Sequence, residues 1–242
     1  MSLEATLAEH ERAWEERELL RRLYGEWYEE IVRELAPGPG ATVELGSGLA
    51  QLKQLLPGVV ATDVEPTRWA DEVVDAHDLP YEDASLANLV LFDVFHHLRD
   101  PARFLGEARR TLRPGGRVVM VEPYCSPLST PVYRRFHHEL TDLAVDPFAP
   151  DARQDEHAMA GNQALPTLAF FRRERELRRR WPELRIVCRR RFAFVLYPLS
   201  GGYSRRPLVP VRLHRPLRAL ERVLTPLAPL LAFRCLVVLE RR

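Results

Sequence analysis

Lysine is almost missing from this chain. Lys53 is the only one, and the other 34 basic residues are arginine. We read that choice as GC-rich coding, hence a bacterial source, and not as a binding feature. Cysteine is scarce too. Cys125, Cys188 and Cys235 lie far apart and form no CxxC pair. That argues against a disulfide scaffold and a cysteine-based zinc site, and sets a cytoplasmic location as the expectation. Long apolar runs are lacking. The longest stretch without a charged residue or histidine is Ala158 to Phe171, too short to span a bilayer and interrupted by Pro166. The first twenty residues show no basic start followed by an apolar core, so no secretory signal is expected. Internal repeats and low-complexity tracts are also missing.

What is present suits a folded domain of ordinary size with an elaboration. The chain has 242 residues, 46% hydrophobic and 29% charged. Its net charge of +1 hides an asymmetry. From Phe171 to Arg242 there are 19 arginines against 5 glutamates, so that third carries +14 and the remainder −13. Either the C-terminal part faces something anionic, or it packs on the acidic part of the same molecule.

Leucine and aromatic residues at three- and four-residue steps predict a helix over Leu3 to Leu35, ended by Pro37-Gly38-Pro39-Gly40. A short apolar run, Ala41 to Leu45, leads into a glycine turn that should open a helix. Strands are predicted at Val59–Thr62, Glu72–Val74 and Leu86–Phe92, the last so evenly apolar that both its faces should be covered. Asp100-Pro101 should start a helix and Gly115-Gly116 stop it, before a strand at Arg117–Val121. Alternating strands and helices imply a parallel α/β sheet. Ser126 to Gln163 is irregular and reads as an insertion over one end of that sheet. Phe171–Trp181 reads as a basic helix, Leu184–Val187 as a strand, and Cys235–Leu239 as a last strand. Leu208 to Phe233 is leucine-rich, basic and broken by proline. It reads either as a crossover helix packed on the sheet, the reading we prefer, or as a cap over an apolar substrate resting on anionic lipid.

The chemistry-bearing segment is Thr42-Val43-Glu44-Leu45-Gly46-Ser47-Gly48-Leu49-Ala50. Its glycines permit positive φ and let a ligand lie against the backbone. A carboxylate at Glu44 would repel a diphosphate, which argues against a dinucleotide, and suits a ligand bearing an ammonium group. Asp63, nineteen residues on, ends the second strand, where a carboxylate can accept hydrogen bonds from ribose hydroxyls. Asp75 and Ala76 end the third.

In this order VELGSG, ATD, DAHDLPYEDASLANLVLFDVFHHLRDP and LGEARRTLRPGGRVVMVEP resemble the class I S-adenosylmethionine-dependent methyltransferases (type 11-like) over roughly Ala41 to Pro123. The resemblance implies a Rossmann-like, seven-stranded, mostly parallel α/β sheet whose last strand is antiparallel. It implies S-adenosylmethionine as cofactor and S-adenosylhomocysteine as product. Glu44 would face the methionine ammonium, Gly46, Ser47 and Gly48 would form the turn beneath the cofactor, Asp63 would bind ribose, and Asp75 with Ala76 the adenine. Phe92 and Asp93 would edge the site near the sulfonium. Two departures stand out: Ala50 replaces the third glycine, and the nine residues between Asp63 and Val73 shorten or remove the usual crossover helix.

His97, and less so His96, sits where a general base or a structural histidine could stand. His138, within His137-His138-Glu139, is a candidate for proton transfer or substrate contact, and no metal is expected. Tyr24, Trp27 and Tyr28 could cover the cofactor or simply pack. The expected organisation is a helical cap (1–36), a cofactor-binding core (37–125), a lid (126–170) and the C-terminal half of the sheet (171–242). The expected activity is methyl transfer to an oxygen, nitrogen or carbon nucleophile of a small-molecule or lipid-like acceptor, with peripheral membrane contact as a further expectation. The alternative is a catalytically silent module acting through its arginine-rich end. A nicotinamide enzyme is disfavoured by Glu44. Nucleic-acid methylation is disfavoured by the lack of an N-P-P-Y motif and by little aromatic interleaving among the arginines.

Overall fold

The computed structural model describes residues 3–150 and 160–242. Seven strands form one sheet: β1 (Ala41–Leu45), β2 (Val60–Asp63), β3 (Glu72–Val73), β4 (Leu86–Phe92), β5 (Leu112–Pro123), β6 (Leu184–Phe192) and β7 (Arg234–Arg241). Their order is β3-β2-β1-β4-β5-β7-β6. The first five are parallel; β7 runs antiparallel to both β5 and β6. This is the sheet the sequence predicts, including the inserted last strand.

β4 is buried at every residue. Its side chains alternate between two cores. Leu89 and Leu91 join Phe104, Leu105 and Ala108 of α3 (Pro101–Thr111), while Val90 and Phe92 join Leu20, Leu23 and Trp27 of α2 (Glu18–Glu34). α3 begins as predicted: the Asp100 carboxylate accepts from the Arg103 N–H at 2.9 Å, with Pro101 in the first turn. Asn88 on β4 bonds the N–H of Ala36 at 2.7 Å and its carbonyl at 3.2 Å, fixing the exit of α2 on the sheet.

Several local expectations are corrected. The N-terminal helix is two helices, α1 (Leu3–Glu16) and α2, parted at Arg17 (φ −111°, ψ 89°). Arg17 is drawn out of the helical path by the carbonyls of Gly202, Tyr203 and Arg205, which its guanidinium bonds at 2.7 to 3.0 Å. The glycine turn opens only a 3-10 turn, Gln51–Gln54, because Ala50 stands left-handed (φ 51°) and Pro57 follows closely. α3 ends at Thr111, before the glycine pair, because Leu112 is already extended and pairs with Leu86. β6 runs on to Phe192, being paired along its length with β7. Between β2 and β3 there is no helix. The lone lysine holds that link instead: Lys53 Nζ meets Asp71 Oδ1 at 2.6 Å, and Asp71 Oδ2 accepts the Ala61 N–H at 2.9 Å.

Beyond β5 come α4 (Ser129–Phe136), α5 (Leu165–Thr167), α6 (Glu174–Arg180), α7 (Leu196–Ser200), α8 (His214–Leu224) and α9 (Ala228–Leu231). Part of the expected lid, residues 151–159, lies outside the described residues. What is described of it folds onto the strand ends: Leu140 bridges Asn162, and the Asn162 N–H donates to the His96 carbonyl at 2.9 Å. α8 packs Leu217 and Leu224, half-buried, against the two cores and buries the polar His214 and Glu221, but it leaves Ala219, Leu220 and Val223 outward.

Candidate functional site

The carboxyl ends of β1, β2 and β4 converge on the glycine turn. Glu44 pairs with Val90 in register and projects to the α2 side, opposite to its neighbours Val43 and Leu45. It is 1% exposed, and neither carboxylate oxygen has a hydrogen-bond partner. Burial first, then the nearby charge of Asp63, push its carboxyl up to about 8. Ser47 is buried beside it, its Oγ also without a partner, while its N–H donates to the Thr62 carbonyl at 2.8 Å. Buried polar atoms are nearly always paired, so three orphaned ones at one turn mark a place shaped for a polar ligand.

The turn permits close approach. Gly46 (φ 62°) and Gly48 (φ 55°) are left-handed, and a Cβ on Gly46 would stand 2.6 Å from the Val94 side chain. Asp63 Oδ2 accepts from the Gly48 N–H at 3.3 Å and Oδ1 from the Val64 N–H at 2.9 Å. Burial raises its carboxyl against those two hydrogen bonds. Over Gly48 lies Leu7 of α1, whose Cδ2 would be 3.6 Å from an added Cβ. The N-terminal helix therefore covers the turn. Asp75 accepts from the N–H and the ring of His77, at 2.9 and 2.6 Å. These outweigh its burial and hold its carboxyl below the usual range. Asp75 and His77 open onto a polar cleft of about 260 Å³ shared with Asp100 and Arg103. Ala76 is buried in the core on the α3 side.

Phe92 packs among Tyr24, Trp27 and Tyr28, with ring centroids 4.7 to 6.1 Å apart, so the helix aromatics form a wall behind the site. Asp93 (φ 59°) is ion-paired with Arg234, whose guanidinium is buried among Trp27, Phe92 and Tyr197. Sequence reading missed Arg234. The available signal was a lone arginine opening an apolar strand.

A second polar cluster sits at the β4 rim, where His96 and His97 meet the described part of the lid. Glu122 accepts the N–H groups of Val94 and Phe95 at 2.8 and 2.7 Å and the His96 Nδ1 at 2.7 Å. His96 Nε2 lies 3.3 Å from Glu139. Burial opposes the charged ring, but hydrogen bonds to these two carboxylates win and lift His96 to about 10. Burial, reinforced by the His96 charge, lowers His97 to about 4. His97 Nδ1 is 3.2 Å from the Ala160 carbonyl and its Nε2 3.8 Å from Glu139. His138 stands at the surface, 3.7 Å from the same carboxylate. Among the described residues three donor groups, His96/His97/Glu139, His137/His138/Glu139 and Asp93/His96/Glu122, keep their ligand atoms within 4.8 Å. The His96 imidazolium offsets one of the two carboxylates, Glu122 and Glu139, between which it lies. The structure thus brings His97 and His138 to one carboxylate, which their separation in sequence did not reveal. Gly161 allows this closeness, since a Cβ there would lie 3.0 Å from Glu139, His96 and His97.

Residues 43–120 match the methyltransferase domain family. A 102-residue segment is 37% identical to an uncharacterised 37.1 kDa protein in transposon TN4556 of Streptomyces fradiae. That match covers 40% of this chain and spans only 30% of the relative's length. Among solved structures, a SAM-dependent methyltransferase from Archaeoglobus fulgidus superposes with a TM-score of 0.55 at 12% identity, covering 92% of this chain and 94% of that one. A methyltransferase from Haloferax volcanii, solved with the Trm112 methyltransferase activator, gives 0.53 at 15% identity over 99% and 97%. The geranyl diphosphate C-methyltransferase of Streptomyces coelicolor, solved with Mg2+, geranyl diphosphate and S-adenosyl-L-homocysteine, gives 0.50 at 14% over 92% and 82%. Residues 43–120 thus match the methyltransferase domain family, on a chain with the class I S-adenosylmethionine-dependent methyltransferase fold.

Proposed function

We propose that this chain transfers the methyl group of S-adenosylmethionine to an oxygen, nitrogen or carbon nucleophile of a small-molecule or lipid-like acceptor. The observation that carries the reading is the unpartnered, buried Glu44 carboxylate beside the Gly46–Gly48 turn. A ligand ammonium would supply the missing counter-charge there, and Ser47 Oγ would gain a partner. Asp63 keeps acceptor capacity for ribose hydroxyls beyond its two backbone donors. Asp75 and Ala76 border the adenine side. The cofactor's sulfonium supplies an already electrophilic methyl group. What remains for the protein is to hold the acceptor in line, exclude water and take up a proton where the acceptor must lose one.

Water exclusion falls to α1 and to the aromatic wall of Tyr24, Trp27 and Tyr28. His97, neutral down to about pH 4, is a weak but ready proton acceptor at neutral pH, and His138 is the exposed alternative. The position of Leu7 over Gly48 favours a second reading, a silent binding module with a permanently covered turn. Calorimetric titration of the full chain with S-adenosylmethionine, S-adenosylhomocysteine and NAD tests the first. The two sulfur nucleosides should bind and NAD should not. Asp63→Ala should weaken binding roughly a hundredfold, about two charge-assisted hydrogen bonds' worth. Failure of both nucleosides to bind, or equal binding by the variant, would overturn the reading.

A further inference from the structure

We propose that the outward face of α8 and α9 docks on the anionic surface of a lipid bilayer. The carrying observation is that α8 turns a mixed face inward, with Leu217 and Leu224 half-buried on the cores and the polar His214 and Glu221 fully buried, while leaving Leu220 and Val223 exposed. His214 and Arg218 reach Glu26 of α2 at 3.1 and 2.7 Å. The buried Glu221 accepts the N–H groups of Phe194, Val195 and Leu196 at 2.9 to 3.0 Å and pairs with Arg218 at 3.0 Å. These bonds fix the rotation of the helix. At 100° per residue, Ala219, Leu220 and Val223 must then point to solvent. Val223 is 76% exposed, and Leu227 and Leu230 of the following turns are about half exposed.

Charge selects the occupant. Arg212, Arg215 and Arg222 are exposed beside this apolar face. Between Leu184 and Leu239 the only acid is Glu221, which is turned inward. A symmetric second copy would oppose arginine to arginine across the contact. A bilayer with anionic headgroups satisfies both features: apolar side chains enter the acyl boundary and guanidinium groups meet phosphates. The patch continues toward the rim of the site. Leu230 accepts the Leu128 N–H at 3.1 Å, and Arg205 lies over the ring of Phe136, whose helix leads to His137 and His138. Delivery of an acceptor from the bilayer to that rim would rest on the proposed methyl transfer; docking itself does not.

The test is flotation of the full chain with phosphatidylcholine vesicles containing phosphatidylglycerol, beside vesicles of phosphatidylcholine alone. We expect binding to the first only, weakened by added salt. Leu220→Glu/Val223→Glu should lower it at least tenfold and Arg222→Gln about fivefold, with melting temperature and S-adenosylmethionine affinity unchanged. No flotation, or equal flotation of the variants, overturns the proposal. So does a dimer in sedimentation velocity that Val223→Glu dissolves, which would assign the face to a second copy. Equal, apolar-independent binding to polyglutamate would assign it to acidic protein and likewise overturn the proposal. Intact cofactor affinity beside failed flotation leaves the methyltransferase reading standing.

Discussion

At the β1–β2 end of the sheet, two carboxylates, Glu44 and Asp63, are buried, and among the described residues Glu44 accepts no hydrogen bond. At the β7–α8 end the buried charges have opposite charges against them: Arg234 has Asp93, His214 has Glu26, and Glu221 has Arg218 and three backbone N–H groups, although Arg234 Nε and His214 Nε2 make no hydrogen bond. The outer face of α8 there is exposed and apolar. Both ends therefore carry unmet surface of opposite kinds. A buried charge lacking its counter-charge fits a small charged ligand, because only a ligand can reach it without water. An exposed apolar arc framed by cations fits an extended surface.

The contrast can be broken by substitution, since it predicts opposite signs at the two ends. The largest effect belongs to Asp93→Asn. Asparagine tolerates the left-handed backbone but leaves the Arg234 guanidinium buried and unpaired, which should destabilise by about 3 kcal/mol in urea unfolding. Glu44→Gln should do the reverse and stabilise the ligand-free protein. The folded carboxyl titrates near 8, above its unfolded value. Its stabilising contribution is full below the unfolded value and is lost as pH rises through 8. The variant should therefore fall below the parent near pH 4 by the cost of an unpartnered amide, about 2 kcal/mol, and exceed it by about 2 kcal/mol at about pH 7.5. Destabilisation at both pH values would mean that Glu44 has a protein partner. The smallest effect should come from Leu220→Ser/Val223→Ser, within about 0.5 kcal/mol of the parent. A loss typical of core truncation would show that Leu220 and Val223 pack on the protein after all.

Much of the first end was legible in the sequence. Strand, acid and glycine turn follow one another within nine residues, and local chemistry alone makes such a turn. Asp100-Pro101 told where α3 begins for the same reason. The second end was not legible. The leucines of Leu208 to Phe233 suggested packing on the sheet, but hydrophobicity says only that a face wants cover, not which way it turns. That was decided by Glu26 and the 194–196 backbone, distant in sequence. The break at Arg17 is similar: nothing in its neighbours ends a helix, and the carbonyls that draw it out lie some 185 residues away.

By itself, the sequence determined the parallel α/β sheet and the glycine turn, because strand periodicity, helix caps and glycine turns are set by neighbours along the chain; the antiparallel last strand came from the family resemblance. The tertiary structure alone decided that Glu44 accepts no hydrogen bond among the described residues, that His97 and His138 share Glu139, and that α8 leaves Leu220 and Val223 to solvent. Each of these depends on which distant groups compete for one buried charge, and that competition exists only once the chain has closed on itself.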